Sequence, residues 1–253
     1  MPRFRLDIAY DGTPFAGWQR QDGPASVQQA VEEAIEGFAG EAPRLHAAGR
    51  TDAGVHASGQ VAHVVLARAW DAEIVRRATN ANLLRASHPI AVRAASRVSD
   101  DFHARFSATA RHYVYRILDR DWPPTVERNL VWWVPARERL DIKAMRAGAE
   151  RLLGRHDFTT FRAAHCQADS PVRTLDRLEL AREKEEIVAN VSARSFLHHQ
   201  VRSMMGALKR VGEGRWTPDH VGAALEARDR SRCPGMAPAA GLSLVGVDYG
   251  DAR

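Results

Sequence analysis

The sequence predicts an α+β fold of two ferredoxin-like halves, each running β-α-β-β-α-β, with mainly antiparallel sheets. Three observations predict it. Short runs alternate apolar and polar residues with the period of two that half-buried strands require. Between them lie segments of helical period that open on capping residues. The same order of elements is then met twice, across 1–105 and across 106–253, with one helix added in the second half. No residue-level repeat relates the halves. The order suggests two sheets with helices on one side and a cleft between.

In the first half, Phe4, Leu6, Ile8 and Tyr10 alternate with Arg3, Arg5, Asp7 and Ala9, which reads as a strand that Asp11-Gly12 ends. The following loop, GTPFAGWQRQDGPA, is rich in glycine and aromatics, and Phe15 and Trp18 are expected to cap the core. Ser26 and Gln29 form a capping-box signature for a helix carrying Val27, Ala30, Val31, Ala34, Ile35 and Phe38 on one face. A short strand is expected around 44–48 and a longer one over 60–66. Asp71 is the N-cap of a helix reaching about Leu83, with Ile74, Val75 and Ala78 inward. Pro89 introduces a strand over 90–98.

In the second half, a strand over 111–118 carries Tyr113 and Tyr115 on one face. Trp122-Pro123-Pro124 makes a rigid turn. A helix over 141–153 turns Ile142, Met145, Ala149, Leu152 and Leu153 inward, and a hairpin over 174–193 closes on the charged turn REKEE. Helices over 197–211 and 218–228 follow, the latter with Thr217 as cap and Pro218 at its first turn. Residues 242–249 form the last strand. By composition 229–241 is the expected mobile loop.

The totals narrow the function. The chain has 253 residues, 45% of them hydrophobic and 26% charged, which is enough for a substantial core. A net charge of +5 and a pI of about 9.7 suit a polyanionic partner, and the excess is mainly arginine, which favours phosphates and planar bases. Two cysteines, Cys166 and Cys233, without zinc spacing are expected to be reduced thiols in a cytosolic protein. The N-terminus has no apolar stretch of signal-peptide length, and no run approaches the roughly 18 apolar residues of a membrane span.

Asp52 stands out. It is the single acid between Glu41 and Asp71, in a turn bounded by Gly49 and Gly54, with Arg44, Arg50, Arg68 and three histidines nearby in sequence. Such an acid is either a solvated loop residue or a catalytic carboxylate. Two further segments are basic: 107–116, with its tyrosines, and 187–212, which carries Arg194, His198, His199, Arg202, Lys209 and Arg210 without an acid. Aromatics beside arginines suit unpaired bases and their phosphates. On a helix His198 and His199 would point about 100° apart, a poor metal pair. Phosphate-loop, dinucleotide and nucleophile-elbow motifs are absent. Asp7-Ile-Ala-Tyr-Asp11-Gly-Thr imitates the opening of magnesium-dependent aspartate phosphatases, but the first carboxylate would have to stand at position 9, which is Ala9. A non-catalytic RNA-binding module is the competing class, and no RNP-type aromatic motif supports it.

GRTDAGVHA (49–57) closely resembles the catalytic motif of the tRNA pseudouridine synthase A family. YDGTPFAGWQRQ, NANL, DDFHARFSATARHYVYRI, HDFTTFRA, FLHHQVRSMMG and GLSLVGVDY resemble the family's other motifs in register, so the likeness covers essentially the whole chain. The resemblance implies isomerisation of uridine to pseudouridine at positions 38, 39 and 40 of the tRNA anticodon stem-loop. It also implies a cytoplasmic homodimer without metal or cofactor, and two ferredoxin-like halves with a basic cleft between them. By motif, Asp52 matches the essential carboxylate and Tyr113 the tyrosine that stacks on the target base. Arg202 matches the arginine that pairs with the carboxylate, and Arg50 the arginine that intrudes into the RNA as the base leaves the stack.

Overall fold

The alternation at the N-terminus becomes strand β1 (Arg3–Tyr10), whose side chains are buried at every second position. Phe4, Leu6 and Ile8 are completely buried, each worth about 1.5–3 kcal/mol relative to exposure. The computed structural model describes residues 1–135 and 139–250. The chain forms two units, Met1–Arg111 with the C-terminal stretch from Ser243, and His112–Leu242. The mixed α+β class is as the sequence predicts.

In the first unit β1 is followed by α1 (Val27–Ala39), β2 (His46–Ala47), β3 (His56–Val65), α2 (Ala72–Arg85) and β4 (Ile90–Val98). β1 pairs antiparallel with both β3 and β4, and β2 pairs antiparallel with β3. The terminal strand β10 (Leu242–Tyr249), read from sequence as closing the second half, runs parallel to β3 through Ser243 and Leu244. Ser26 caps α1 through the Gln29 amide, but the Gln29 side chain donates to Glu33 instead of reaching back, so only one half of the capping box closes.

Asp71 caps α2 through the Glu73 and Ile74 amides. Ile74, expected inward, is half exposed at 49%. The inner stripe is Val75, Thr79 and Leu83, four residues apart, and Ile74 lies about 100° around the helix from it. Thr79 satisfies its buried hydroxyl on the Val75 carbonyl. The NAN motif fastens this helix. The Asn80 amide exchanges hydrogen bonds with both backbone groups of Val92 at 2.8 Å, and Asn82 donates to the Ala34 carbonyl of α1.

In the second unit β5 (Ala108–Leu118), which begins in the first, leads to β6 (Trp132–Trp133), α3 (Ile142–Glu150), β7 (Gly154–Asp157), β8 (Val172–Glu183), β9 (Glu186–Ala193), α4 (Gln200–Gly212) and α5 (Pro218–Ala227). β8 and β9 form the expected hairpin, closed by Lys184-Glu185 with Lys184 at φ 57. β7 pairs antiparallel with β8. β6 and β7 have two and four residues, too few to show a period, and the sequence did not announce them. α3 ends at Glu150, so Leu152 is buried but Leu153, expected beside it, is 38% exposed. Phe158 and Phe161 of the HDFTTFRA motif are wholly buried, and Thr160 donates to the Ala224 carbonyl of α5. Among the described residues no helix is long and apolar enough to cross a membrane.

Candidate active site

Asp52 lies in the loop from β2 to β3 and is partly exposed. The loop turns because the Val55 amide donates to the Asp52 carbonyl, with Gly54 at φ 75, the left-handed value taken by the third residue of a type II turn. The aromatic-glycine loop after β1 packs directly beneath. Trp18 N–H donates to the Thr51 carbonyl at 3.0 Å, and Gly54 N–H to the Phe15 carbonyl at 3.2 Å. A Cβ on Gly12 would lie 2.0 Å from the Val55 oxygen, and one on Gly17 2.7 Å from the Thr51 oxygen. Phe15 and Trp18 are 5% and 2% exposed, so they cap the core as expected.

Three buried polar side chains face this loop. The Gln60 amide donates through Nε2 to the Gly49 carbonyl at 2.7 Å and to the Tyr10 hydroxyl at 3.4 Å. Its Oε1 accepts from the Gly49 and Val61 amides. The Tyr10 hydroxyl lies 2.8 Å from Thr51 Oγ1. Burial pushes the Tyr10 phenol up to about 12, with the hydrogen bonds to Thr51 and Gln60 acting the other way, so it stays protonated at neutral pH. None of these three was singled out as a site residue in the sequence. The one signal for them was that Tyr10 ends the apolar face of β1 with a hydroxyl.

Arg50, adjacent to Thr51, is exposed. Burial of part of its side chain, and then the charge of Arg105, lower its guanidinium pKa. Arg111, buried on β5, donates to the carbonyls of both Ala48 and Arg105, which ties the 103–107 turn to the base of the Asp52 loop. The acids of the phosphatase-like string have structural work. Asp11 Oδ1 accepts from the Thr13 amide and hydroxyl, and Asp7 pairs with Arg5.

In the second unit Tyr113 is 8% exposed on β5, with its ring edge-on to Phe196 at 5.2 Å. Arg202 projects from the first turn of α4, and its Nε donates to the Ala237 carbonyl at 2.9 Å. Ala237 N–H donates back to the Arg202 carbonyl at 3.0 Å. The 229–241 stretch, expected to be mobile and given no role, therefore holds a candidate site residue. Ala237 is wholly buried, and the neighbouring Pro238 carbonyl accepts from the Tyr115 hydroxyl. Tyr115 is a core residue whose phenol burial raises strongly.

α4 begins at Gln200, later than expected, so His198 and His199 precede the helix. His199 is its N-cap at φ 66, and the two rings approach to 3.9 Å instead of diverging. His198 is exposed and His199 partly buried. Neither cysteine is in a disulfide. Arg50 and Asp52 thus share one loop of the first unit, while Tyr113 and Arg202 stand on a strand and a helix of the second.

Comparison with known proteins identifies the class. The family profile described as tRNA pseudouridine synthase matches residues 8–107 and 149–250. The chain belongs to this family of isomerases. Among curated relatives, it is 62% identical over 249 residues to tRNA pseudouridine synthase A of Mesorhizobium japonicum, covering 98% of this chain and 100% of the relative. It is 57% identical to the protein of that name from Xanthobacter autotrophicus, with the same coverage, and 56% identical to that of Brucella ovis, covering 98% of each. The chain is thus a member of the tRNA pseudouridine synthase A family.

Proposed function

We propose that this protein isomerises uridine to pseudouridine at positions 38, 39 and 40 of the tRNA anticodon stem-loop, with Asp52 as the catalytic carboxylate. The observation that carries the reading is the match along the whole chain to synthases of that name, together with a lone acid on a braced turn in a basic stretch.

The reaction breaks the N1–C1′ bond of uridine, turns the uracil and joins C5 to C1′. N1 gains a proton and C5 loses one, so the atoms balance within the substrate. Asp52 serves as nucleophile or as a fixed negative charge for the positive charge developing on the sugar. Either role needs it ionised, and Arg202 supplies the positive charge that favours ionisation. The target base must leave the stack at a cost of a few kcal/mol. Arg50, exposed beside Asp52, offsets this by filling the gap and holding phosphate. Tyr113 gives the detached uracil a stacking face, and its hydroxyl serves in removal of the C5 proton.

The same reading takes each half as ferredoxin-like, and the first-unit strand order β4-β1-β3, with β2 beyond β3, supports it. The basic cleft between the halves, the homodimer and a cytoplasmic location belong to this reading as well. The test is an unmodified tRNA transcript with uridines inside and outside positions 38–40, mapped after incubation. Pseudouridine confined to those positions is the expected result, and conversion elsewhere overturns the positional assignment. Light scattering checks the dimer, which a fully active monomer would contradict.

A further inference from the structure

The inward face of β1 is apolar until its last residue. After Phe4, Leu6 and Ile8 comes Tyr10, whose hydroxyl is taken into the protein together with Gln60 and Thr51. Their exposures are 5%, 0% and 7%. Phenylalanine and leucine would fill such places at less desolvation cost, because buried polar groups must find partners or lose stability. Here every partner belongs to the Asp52 loop or to the network itself, apart from one bond from the adjacent Val61 amide. Gln60 pairs with both backbone groups of Gly49, as a neighbouring strand would. Gln60 also donates to the Tyr10 oxygen, and the Tyr10 and Thr51 hydroxyls, either of which can donate to the other, lie 2.8 Å apart. Gly49 and Thr51 are the residues on either side of Arg50, and Thr51 immediately precedes Asp52.

We propose that Tyr10, Gln60 and Thr51 are positioning residues for the reaction, a buried relay that fixes the backbone of the Arg50–Asp52 segment. This rests on the reading of Asp52 as the catalytic carboxylate. Positioning errors of about 1 Å can cost about a hundredfold in rate without touching the reacting atoms. Partners in one network also lose their effect together, so their variants are not additive.

The test uses the full-length protein and unmodified tRNA, with Asp52→Asn measured alongside. Tyr10→Phe removes one hydroxyl and keeps the ring that packs 6.0 Å from Trp18. We expect kcat to fall roughly 10- to 100-fold while KM for tRNA stays within about twofold. Thr51→Val should match it, the double variant should be no slower than either single one, and Thr51→Ser should restore most of the rate. Parent-like kcat in Tyr10→Phe and Thr51→Val, with Asp52→Asn inactive, overturns the relay alone. Losses that follow the folded fraction and recover on cooling also overturn it, because they show a structural role only. Parent-like turnover by Asp52→Asn overturns both the relay and the reading beneath it.

Discussion

Trp18 donates its main-chain N–H to the Thr51 carbonyl at 3.0 Å, which sews the aromatic-glycine loop to the residue before Asp52. The opening motif and the catalytic-type motif are therefore one construction. Gly17 makes the contact possible, since a side chain there would meet the Thr51 oxygen at 2.7 Å from a φ of +103.

Gly17→Ala should accordingly cost about 1–3 kcal/mol, from left-handed strain plus displacement of the Asp52 loop. Gly40→Ala is the comparison, because Gly40 has φ +71 and open space around it. It should cost only about 1 kcal/mol. Urea unfolding of both variants checks this, and equal losses would mean that the close approach carries no energy.

Gly206 on α4 lets the 233–238 segment lie against the helix, since a Cβ there would come 2.2 Å from the Gly235 carbonyl. Two residues further on, Ala237 holds Arg202. Gly206→Ala should shift that carbonyl and lower turnover about tenfold or more. Steady-state kinetics beside a thermal melt would show it, and full activity would mean that Arg202 does not depend on the segment.

Stability should depend on pH through His63. Burial, followed by the charges of His103, His46 and Arg3, lowers its pKa from 6.5 to about 4. Its Nδ1 accepts from the Ala104 amide, a bond that protonation there would break. Between about 6.5 and 4 the unfolded chain binds a proton that the folded protein refuses. The contribution is therefore complete above that window and is lost as pH falls through it. His63→Gln keeps an acceptor without the titration, and its urea midpoint should vary less with pH over this range.

Most of the fold was legible because its signals are local. The period of two in β1, the caps Ser26 and Asp71, and the hairpin turn at Lys184 each depend on neighbouring residues. The errors arose where tertiary packing decides. Ile74 yields the inner face of α2 to Thr79, and His198 and His199 precede a helix that starts late. Of the buried network under Asp52 only the Tyr10 hydroxyl, at the end of an apolar strand face, left a trace in the sequence. Tyr10 is far from Asp52 along the chain, and the register that sets Ile8 opposite Gln60 brings it to the strand that leaves the Asp52 loop. Composition also misread 229–241, whose Pro, Gly and Ala suggested mobility, whereas buried Ala237 and its carbonyl anchor a side chain.

Tyr113→Phe separates proton transfer from stacking. The ring keeps its edge contact with Phe196, an interaction worth about 0.5–1.5 kcal/mol, so the fold should be retained. tRNA binding should remain near that of the parent while turnover falls by about 10²-fold or more. A filter-binding assay and a conversion assay on the same preparation decide it, and unchanged turnover would remove the hydroxyl from the reaction.

In the proposed function Asp52 acts as an ionised carboxylate. Asp52→Asn keeps size and polarity and removes the charge, with one acceptor oxygen becoming a donor. After incubation with an unmodified tRNA, nucleoside analysis should find pseudouridine with the parent protein and none above background with Asp52→Asn, while the variant still binds the tRNA. Pseudouridine formed by Asp52→Asn at the parent's rate would contradict the account.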